Sequence, residues 1–431
     1  MTAAAPATGG RIEVLDVMRG VAILAIVLLN LPWQAGSIPA LLDDPRRLGC
    51  SAADRATWIA LDVLVTGTQR CLLELLFGAG VVLLGARLDG WAYLRRNLWL
   101  LAIGLVDIGV LLWIGDILAA YAIAGLLVFP LRRLEVRQLA VLGLSFALWS
   151  ACYGGLVYAG ERAFAASLTE AERATTPTPA QAKVLDAAAS AVRVREAAAT
   201  ETARLLEEER RAHDGGWLDY ARWFWSLWYR IDLAGGLLVE TVIEAAATML
   251  LGMALMRTGF LAGEWQPHSY LLVGAACYAI GLACRIPAAL EVADGASGAR
   301  IAWIVEEPAR LLMGIGHVCA INLVWRTAAG ILLLRPFAAA GRMALTLYLL
   351  AQLIGLHLLF APYGLDLWGS YGWAGMTAIS GAVMLALLAS ASLWLRHFSA
   401  GPVEAAWRRL ATPSTAGPRG LCASGSNERS G

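Results

Sequence analysis

The sequence predicts an all-α fold: a polytopic bundle of about ten transmembrane helices with both termini in the cytoplasm. Three observations carry that prediction. Apolar residues make up 59% of 431 and charged residues only 16%, and the mean hydropathy is +0.62, a balance no ordinary soluble domain of this length has. The apolar residues come in runs that approach the roughly 20 helical residues needed to cross a hydrocarbon core. Arginines gather in alternate short connections, which puts them on one side, as in cytoplasmic loops, apart from Arg46 and Arg47 in the first outer loop. Lys183 is the sole lysine, and the formal net charge of +1 gives no argument for a nucleic-acid partner. Seven cysteines (Cys50, Cys71, Cys152, Cys277, Cys284, Cys319 and Cys422) lie scattered without CxxC spacing. Several sit inside apolar runs, so buried small hydrophobes explain them better than a disulfide framework.

Residues 1–10, MTAAAPATGG, lack the basic and apolar regions of a cleaved signal, and disorder is expected there, with the first helix retained. The N-terminal transmembrane half takes residues 11–158. Its first span grows out of Arg11–Asn30, RIEVLDVMRGVAILAIVLLN. Arg19 and Asn30 stand within roughly 20° of one helix face and about 16 Å apart along the axis. Asp16, three residues before Arg19, can pair with it and lower the cost of a guanidinium near hydrocarbon. Pro32 and Trp33 suit an interfacial exit to an extracytoplasmic loop. The second span is placed near Cys71–Leu88, because Asp62, Arg70 and Glu74 interrupt the apolar stretch that begins at Thr57. The third, Asn97–Trp113, contains Asp107, and the fourth, Ile117–Leu131, returns after an acidic tip at Asp116. The fifth is Gln138–Tyr158.

Residues 159–232 form an extracytoplasmic insert. Its polar part, 160–216, is rich in Ala, Glu and Arg and predicts amphipathic helices. Trp217–Tyr229 then compresses seven large aromatics into one short window, as in an anchor lying along the headgroups. The C-terminal half, 233–410, holds spans at Leu233–Met256, at Ser269 to about Ala289, at about Pro308–Trp325, at Phe337–Phe360 and at Trp373–Leu395. Residues 411–431 have no periodicity and are expected to be disordered.

A carboxylate at membrane depth is costly unless paired or solvated, which marks it as a functional candidate. Asp107 and Asp116 are therefore the candidate general bases, with an N-cap at the fourth span as the simpler role for Asp116. Glu240 and Glu244 share one face of the sixth span. They could share a proton or meet an arginine such as Arg285 or Arg310, as proton-coupled transport would require; alternatively Glu240 lies at the outer interface. Arg342, near the cytoplasmic start of the ninth span, is either an anion binder or a topological flank, and Arg19 either a donor in a channel or a snorkelling residue. His317 and His357 fall in the eighth and ninth spans, as packed residues or as bases. Glu404 ties the C-terminal segment to cytoplasmic arginines. The sequence contains no metal-ligand cluster, nucleophile elbow, phosphate loop or dinucleotide fingerprint, so no bound cofactor or metal is expected.

Several separated stretches carry a resemblance: RIEVLDVMRG in the first helix, LLFGAG at Leu75–Gly80, WIGDILAAYAIAG at Trp113–Gly125, GRMALTLYLL at Gly341–Leu350, YGLDLWG at Tyr363–Gly369 and WLRHFSAGPVEAAWR at Trp394–Arg408. The chain resembles the YeiB-like inner-membrane family, whose members carry a domain of unknown function in the C-terminal half. Its first-helix pattern is similar to that of acyltransferase family 3 and of heparan-alpha-glucosaminide N-acetyltransferase. In the former an Arg is followed after ten residues by a His; here Arg19 matches and Asn30 occupies the His position. The resemblance implies a multi-pass protein of the cell inner membrane that moves an acyl group from cytosolic acyl-CoA, such as acetyl-CoA, to a lipid, sugar or secondary-metabolite acceptor. Carried onto this chain, Asp107, Asn30 and Arg19 are the catalytic candidates, and Arg342, Asp116, His357 and Glu244 the substrate-binding ones. The expected partners are the bilayer and the acceptor, with homo-oligomerisation open. A transporter or exporter, or a non-catalytic membrane protein, is the alternative.

Overall fold

The structure is a computed structural model that describes residues 11–295 and 298–411. The predicted disordered ends lie outside the described residues, apart from residue 411, which closes the last helix. Every element among the described residues is helical. Helix α1 (Glu13–Gln34) leads through the short α2 (Ile38–Asp43) to α3 (Ala52–Leu64) and α4 (Thr68–Gly85). Helix α5 (Gly90–Val106) runs into a π-helical turn at Asp107–Leu111, and α6 (Leu118–Val128) returns. The long α7 (Val136–Arg173) and α8 (Pro179–Asp214) form a hairpin, and α9 (Trp217–Trp228) follows. Then come α10 (Leu237–Arg257), α11 (Pro267–Ala293), α12 (Ala302–Trp325), α13 (Ala328–Arg342), α14 (Ala344–Gln352) with a π-helical extension over Leu353–Leu359, α15 (Trp373–Trp394) and α16 (Pro402–Ala411).

The hub is α1, which packs on α4, α12, α13, α14 and α15. Val17, Met18, Ala22 and Leu31 are wholly buried, as expected for a helix apolar on nearly all sides. Its closest neighbour is α13. A Cβ on Gly20 would overlap the Phe337 carbonyl, and one on Gly341 would overlap the Asp16 carbonyl. The two backbones touch there because neither residue has a side chain, the small-residue contact typical of membrane helices.

Seven helical units are long and apolar enough to cross a membrane, counting α3 and α4 as one; the α13–α14 pair makes an eighth if its two arms form one span. The ninth predicted span is therefore not one straight helix. It bends by 77° at the break between α13 and α14, where Met343 leaves helical geometry and the open N–H groups of α14 are taken by Glu404. The third and fourth predicted spans are helical, but α6 has only 11 residues. At 1.5 Å per residue that is about 16 Å, too short for a ~30 Å core. Helix α7 continues unbroken from the fifth predicted span into the polar insert, reaching 38 residues.

The insert folds back as α8, which starts at a capping box of Thr178 and Gln181 with Pro179 at its first position. Its C-terminal end is clamped to the bundle. Glu209, 0% exposed, accepts hydrogen bonds from Ser37 Oγ and from the Ile38 amide at 3.1 Å. Burial pushes its carboxyl up to about 7. Helix α9 buries Ala221, Trp223, Phe224 and Leu227 against Ile38, Ile108 and Leu112, while Trp217, Leu218, Trp225 and Tyr229 stay exposed. That two-faced pattern is the one predicted for an interfacial element.

At the opposite end, α16 packs on α5 and α14. Trp407 Nε1 donates to the Arg96 carbonyl at 3.0 Å, and the Arg96 guanidinium lies 3.7 Å over the Trp407 ring, a cation–π contact. Glu404 does not tie this segment to arginines, as the sequence suggests. Its Oε1 accepts from the Leu345 and Thr346 amides at 2.7 and 3.0 Å, and its Oε2 from Thr346 Oγ1 at 2.5 Å. The N-terminus of α14 offers unsatisfied N–H donors, and a carboxylate satisfies them better than a guanidinium does.

Candidate functional site

The polar side chains of the bundle fall into two buried groups, and the first is built around α14. Tyr348 and Gln352, four residues apart, stand on one face of this helix. The Tyr348 hydroxyl donates to Asp107 Oδ2 at 3.2 Å. Asp107 is 0% exposed, and its Oδ1 has no hydrogen-bond partner. The Asp116 carboxyl is its acidic neighbour. Asp116 is also the cap predicted for α6, accepting from the Leu118 and Ala119 amides at 3.1 and 2.8 Å. The two acids meet because Gly104 lets α5 approach the start of α6 closely; a Cβ there would stand 2.5 Å from the Ala119 nitrogen. The π-helical turn then ends at Leu112 with a left-handed φ of 62°.

One turn along α14, Gln352 Oε1 accepts from Gln34 Nε2. Both residues are buried, and Gln34 Oε1 and Gln352 Nε2 are left without partners. Beyond them a pocket opens toward the α7–α8 hairpin, with Gln34, Leu112, His213, Tyr220, His357 and Trp368 in its wall. His357 Nδ1 pairs with the Tyr363 hydroxyl at 2.7 Å, while its Nε2 is buried and unpartnered. His213 arrives from the insert. Its Nε2 faces the Phe360 carbonyl at 3.0 Å, and its ring stacks on Trp368 at 4.7 Å.

The other side of α14 leads to the arginine-rich end of α1. Arg19 Nη1 pairs with Asp16 Oδ1 at 3.0 Å, Arg11 pairs with the second oxygen of Asp16, and Arg342 Nη2 donates to the Ser399 carbonyl at 3.0 Å. The Arg342 Nε is buried without a partner. Thr346, bound to Glu404 at this end, and Gln352, bound to the pocket-lining Gln34, are six residues apart, about 9 Å of helix. Helix α14 is thus a thin septum between the pocket and the arginine-bearing end of α1, with Tyr348 and the acid pair beside its middle.

The predicted residues therefore divide. Asp107 and Asp116 are adjacent, and His357 faces the pocket above them. Arg19 and Arg342 lie at the contact of α1 with the end of α13. Asn30 is half-buried one turn before Gln34 and makes no side-chain hydrogen bond among the described residues. Glu244 does not line this site. It belongs to the second buried group, where α4, α10 and α12 meet: Arg70 and Arg310 both bind it, and Arg310 also binds Glu74 and Glu307. Of the two arginines named for Glu244, Arg310 is the partner. Arg285 keeps a buried, unpartnered Nη1, and Glu240 is exposed, as the interfacial alternative has it. Tyr348, Gln352, Gln34 and His213 are the site residues that the sequence does not single out. The four-residue spacing of Tyr348 and Gln352 is the signal that could have found two of them.

A helical bundle with buried acids, an ion network at the meeting of three helices and an exposed aromatic helix defines a multi-pass membrane protein. Within that class the chain belongs to the YeiB-like family. It is 32% identical to the uncharacterized protein YeiB of Escherichia coli (strain K12) over 412 residues, 94% of this chain and 97% of that protein. It is 26% identical to the uncharacterized protein YxaH of Bacillus subtilis (strain 168), over 93% of this chain and 94% of that one. Residues 255–413 match the family described as Protein of unknown function (DUF418). No solved structure matches the chain.

Proposed function

We propose that the protein is an integral-membrane acyltransferase, moving an acyl group from acyl-CoA bound at the arginine-bearing end of α1 to an acceptor in the pocket on the other side of α14. In this reading the arginine-bearing end faces the cytoplasm of the cell inner membrane. The observation that carries it is the unpartnered Oδ1 of Asp107, buried beside Asp116 and Tyr348 within the septum. Acyl transfer requires the acceptor hydroxyl or amine to lose a proton as its oxygen or nitrogen attacks the thioester carbonyl. The new C–O or C–N bond forms, the C–S bond breaks, and the thiolate of coenzyme A leaves. Asp107 takes the proton, and Asp116, beside it, passes it on to the leaving thiolate. Tyr348 holds the Asp107 carboxyl in place. Arg19 and Arg342 attract the phosphates of the donor, and Asn30 supplies an amide along the same face of α1.

The test uses the protein in proteoliposomes with radiolabelled acetyl-CoA and extract from the host cell. Acyl label should appear in a lipid or small-molecule fraction, and Asp107→Asn should lower its rate by about 10²–10⁴, the contribution of a positioned base. A folded Asp107→Asn protein with undiminished transfer would remove the base from the scheme. A transporter is the second reading, favoured by the Arg310 network. It would replace the first if no acyl group is transferred and Glu244→Gln abolishes proton-driven solute uptake.

A further inference from the structure

The pocket between α1, the π-helical extension of α14 and the α8–α9 corner has a chemistry that narrows its occupant. No Asp, Glu, Lys or Arg is among its lining residues, so a charged ligand would be left without a counter-ion in a partly dehydrated site. His213 adds no charge: burial lowers the basicity of its ring. One point of the wall is polar nevertheless. Gln34 is 4% exposed, its Nε2 is engaged by Gln352, and its Oε1, an acceptor, is buried without a partner. Such a buried orphan is costly.

The group that satisfies Gln34 Oε1 must donate, which a carboxylate and an alkyl chain cannot do; an ammonium donates but brings a charge without a counter-ion, whereas a hydroxyl donates and stays neutral. Around Gln34 the walls are aromatic, with Tyr220, Trp217, Phe360 and the stacked His213–Trp368 pair. Such walls suit the C–H faces of a saturated ring. His357 Nε2, also buried and unpartnered, is available to a second hydroxyl.

We infer that this pocket binds an uncharged, hydroxyl-bearing ring, a sugar ring either free or attached to a lipid. The α7–α8 insert contributes to recognition, since its clamp at Glu209 delivers His213 and the corner carrying Trp217 and Tyr220. If the proposed acyl transfer holds, this ring is the acceptor, and the naming of the acceptor rests on that reading. The binding itself does not.

Binding is measured without acyl-CoA, by equilibrium dialysis of tritiated methyl β-glucopyranoside and of octyl β-glucoside, below its micellar concentration, against the full chain in sugar-free nanodiscs. Saturable binding of both probes identifies a free sugar as sufficient, and of the alkyl glucoside alone a lipid-borne one. Glucosamine and glucuronate should compete at least tenfold more weakly than glucose. Gln34→Leu, which removes the orphan acceptor, should weaken binding at least tenfold. Trp368→Leu, also on the wall, should do the same if Gln34→Leu fails to fold. The inference falls if neither probe binds saturably, if the charged sugars compete equally, or if folded variants bind as the wild type does. A sugar that binds but is never acylated would sink the acyltransferase reading and leave this one standing.

Discussion

Replacing Arg310 by methionine removes the cation shared by three carboxylates in the middle of the bundle. The Arg310 side chain is 5% exposed. Its Nη1 lies 2.7 Å from Glu74 and 3.2 Å from Glu244, its Nε and Nη2 each 2.7 Å from Glu307, and its Nη2 2.8 Å from Thr248 Oγ1. Methionine is shorter but flexible and of similar volume, so the lost charge outweighs the cavity it leaves. Arg70 still binds Glu244 and stands 3.9 Å from Glu74, but Glu307 keeps no partner. Stranding buried charge in this way costs about 3–5 kcal/mol. At about 2–4 °C per kcal/mol, the apparent melting midpoint should fall by roughly 6–20 °C. The measurement is a thermal scan of purified protein in detergent, with all variants at one scan rate because membrane proteins of this size unfold irreversibly. Arg310→Lys should lie between the two, since an ammonium cannot reproduce the two-pronged contact with Glu307. Adding Glu307→Gln to Arg310→Met should recover part of the loss by neutralising the stranded acid. A midpoint for Arg310→Met within about 1 °C of wild type would refute the view that this guanidinium neutralises the cluster.

Three further outcomes follow from other parts of the structure. Because the Glu209 carboxyl is raised to about 7 from the ordinary 4.5, docking of the hairpin is strongest below pH 4.5 and weakens as pH climbs through 7. Limited proteolysis at residues 174–178 should therefore be faster at pH 8 than at pH 5, and Glu209→Gln should flatten the difference. Gly341→Val forces α1 and α13 apart and should destabilise by about 1–3 kcal/mol or more. Gly80→Ala, with open space around its Cβ position, should melt as the wild type does. Glu404→Ala deprives the first turn of α14 of its cap, a loss of about 0.5–2 kcal/mol, visible as faster hydrogen exchange at Leu345 and Thr346.

Much of the site was legible as single residues and little of it as a constellation. Asp107 stands out in the sequence because a carboxylate inside an apolar run demands a reason, and Asp116 because it precedes a helix. Nothing in the sequence says that Tyr348, 241 positions from Asp107, supplies the hydroxyl, or that Gln34 meets Gln352 across 318 positions. The pairing of Glu244 with Arg310 was open to inference, since both are charges that hydrocarbon cannot solvate and each needs an opposite. Asn30 and Arg19 share a face of α1, yet about 16 Å of helix separates them.

The sequence by itself determined the class of protein and the places of its helices, because hydropathy and helical period are local properties of the chain. It also determined which side chains would be costly in that setting. Only the tertiary structure decided which of them meet. The break at Met343, the contact of Gly20 and Gly341 and the seating of Glu404 on α14 together leave only about 9 Å of helix between the Glu404 contact and Gln352, which bonds the pocket-lining Gln34. These are long-range contacts between surfaces that are nearly uniformly apolar, so close packing and the few buried polar groups set their register, and neither can be read from one segment at a time.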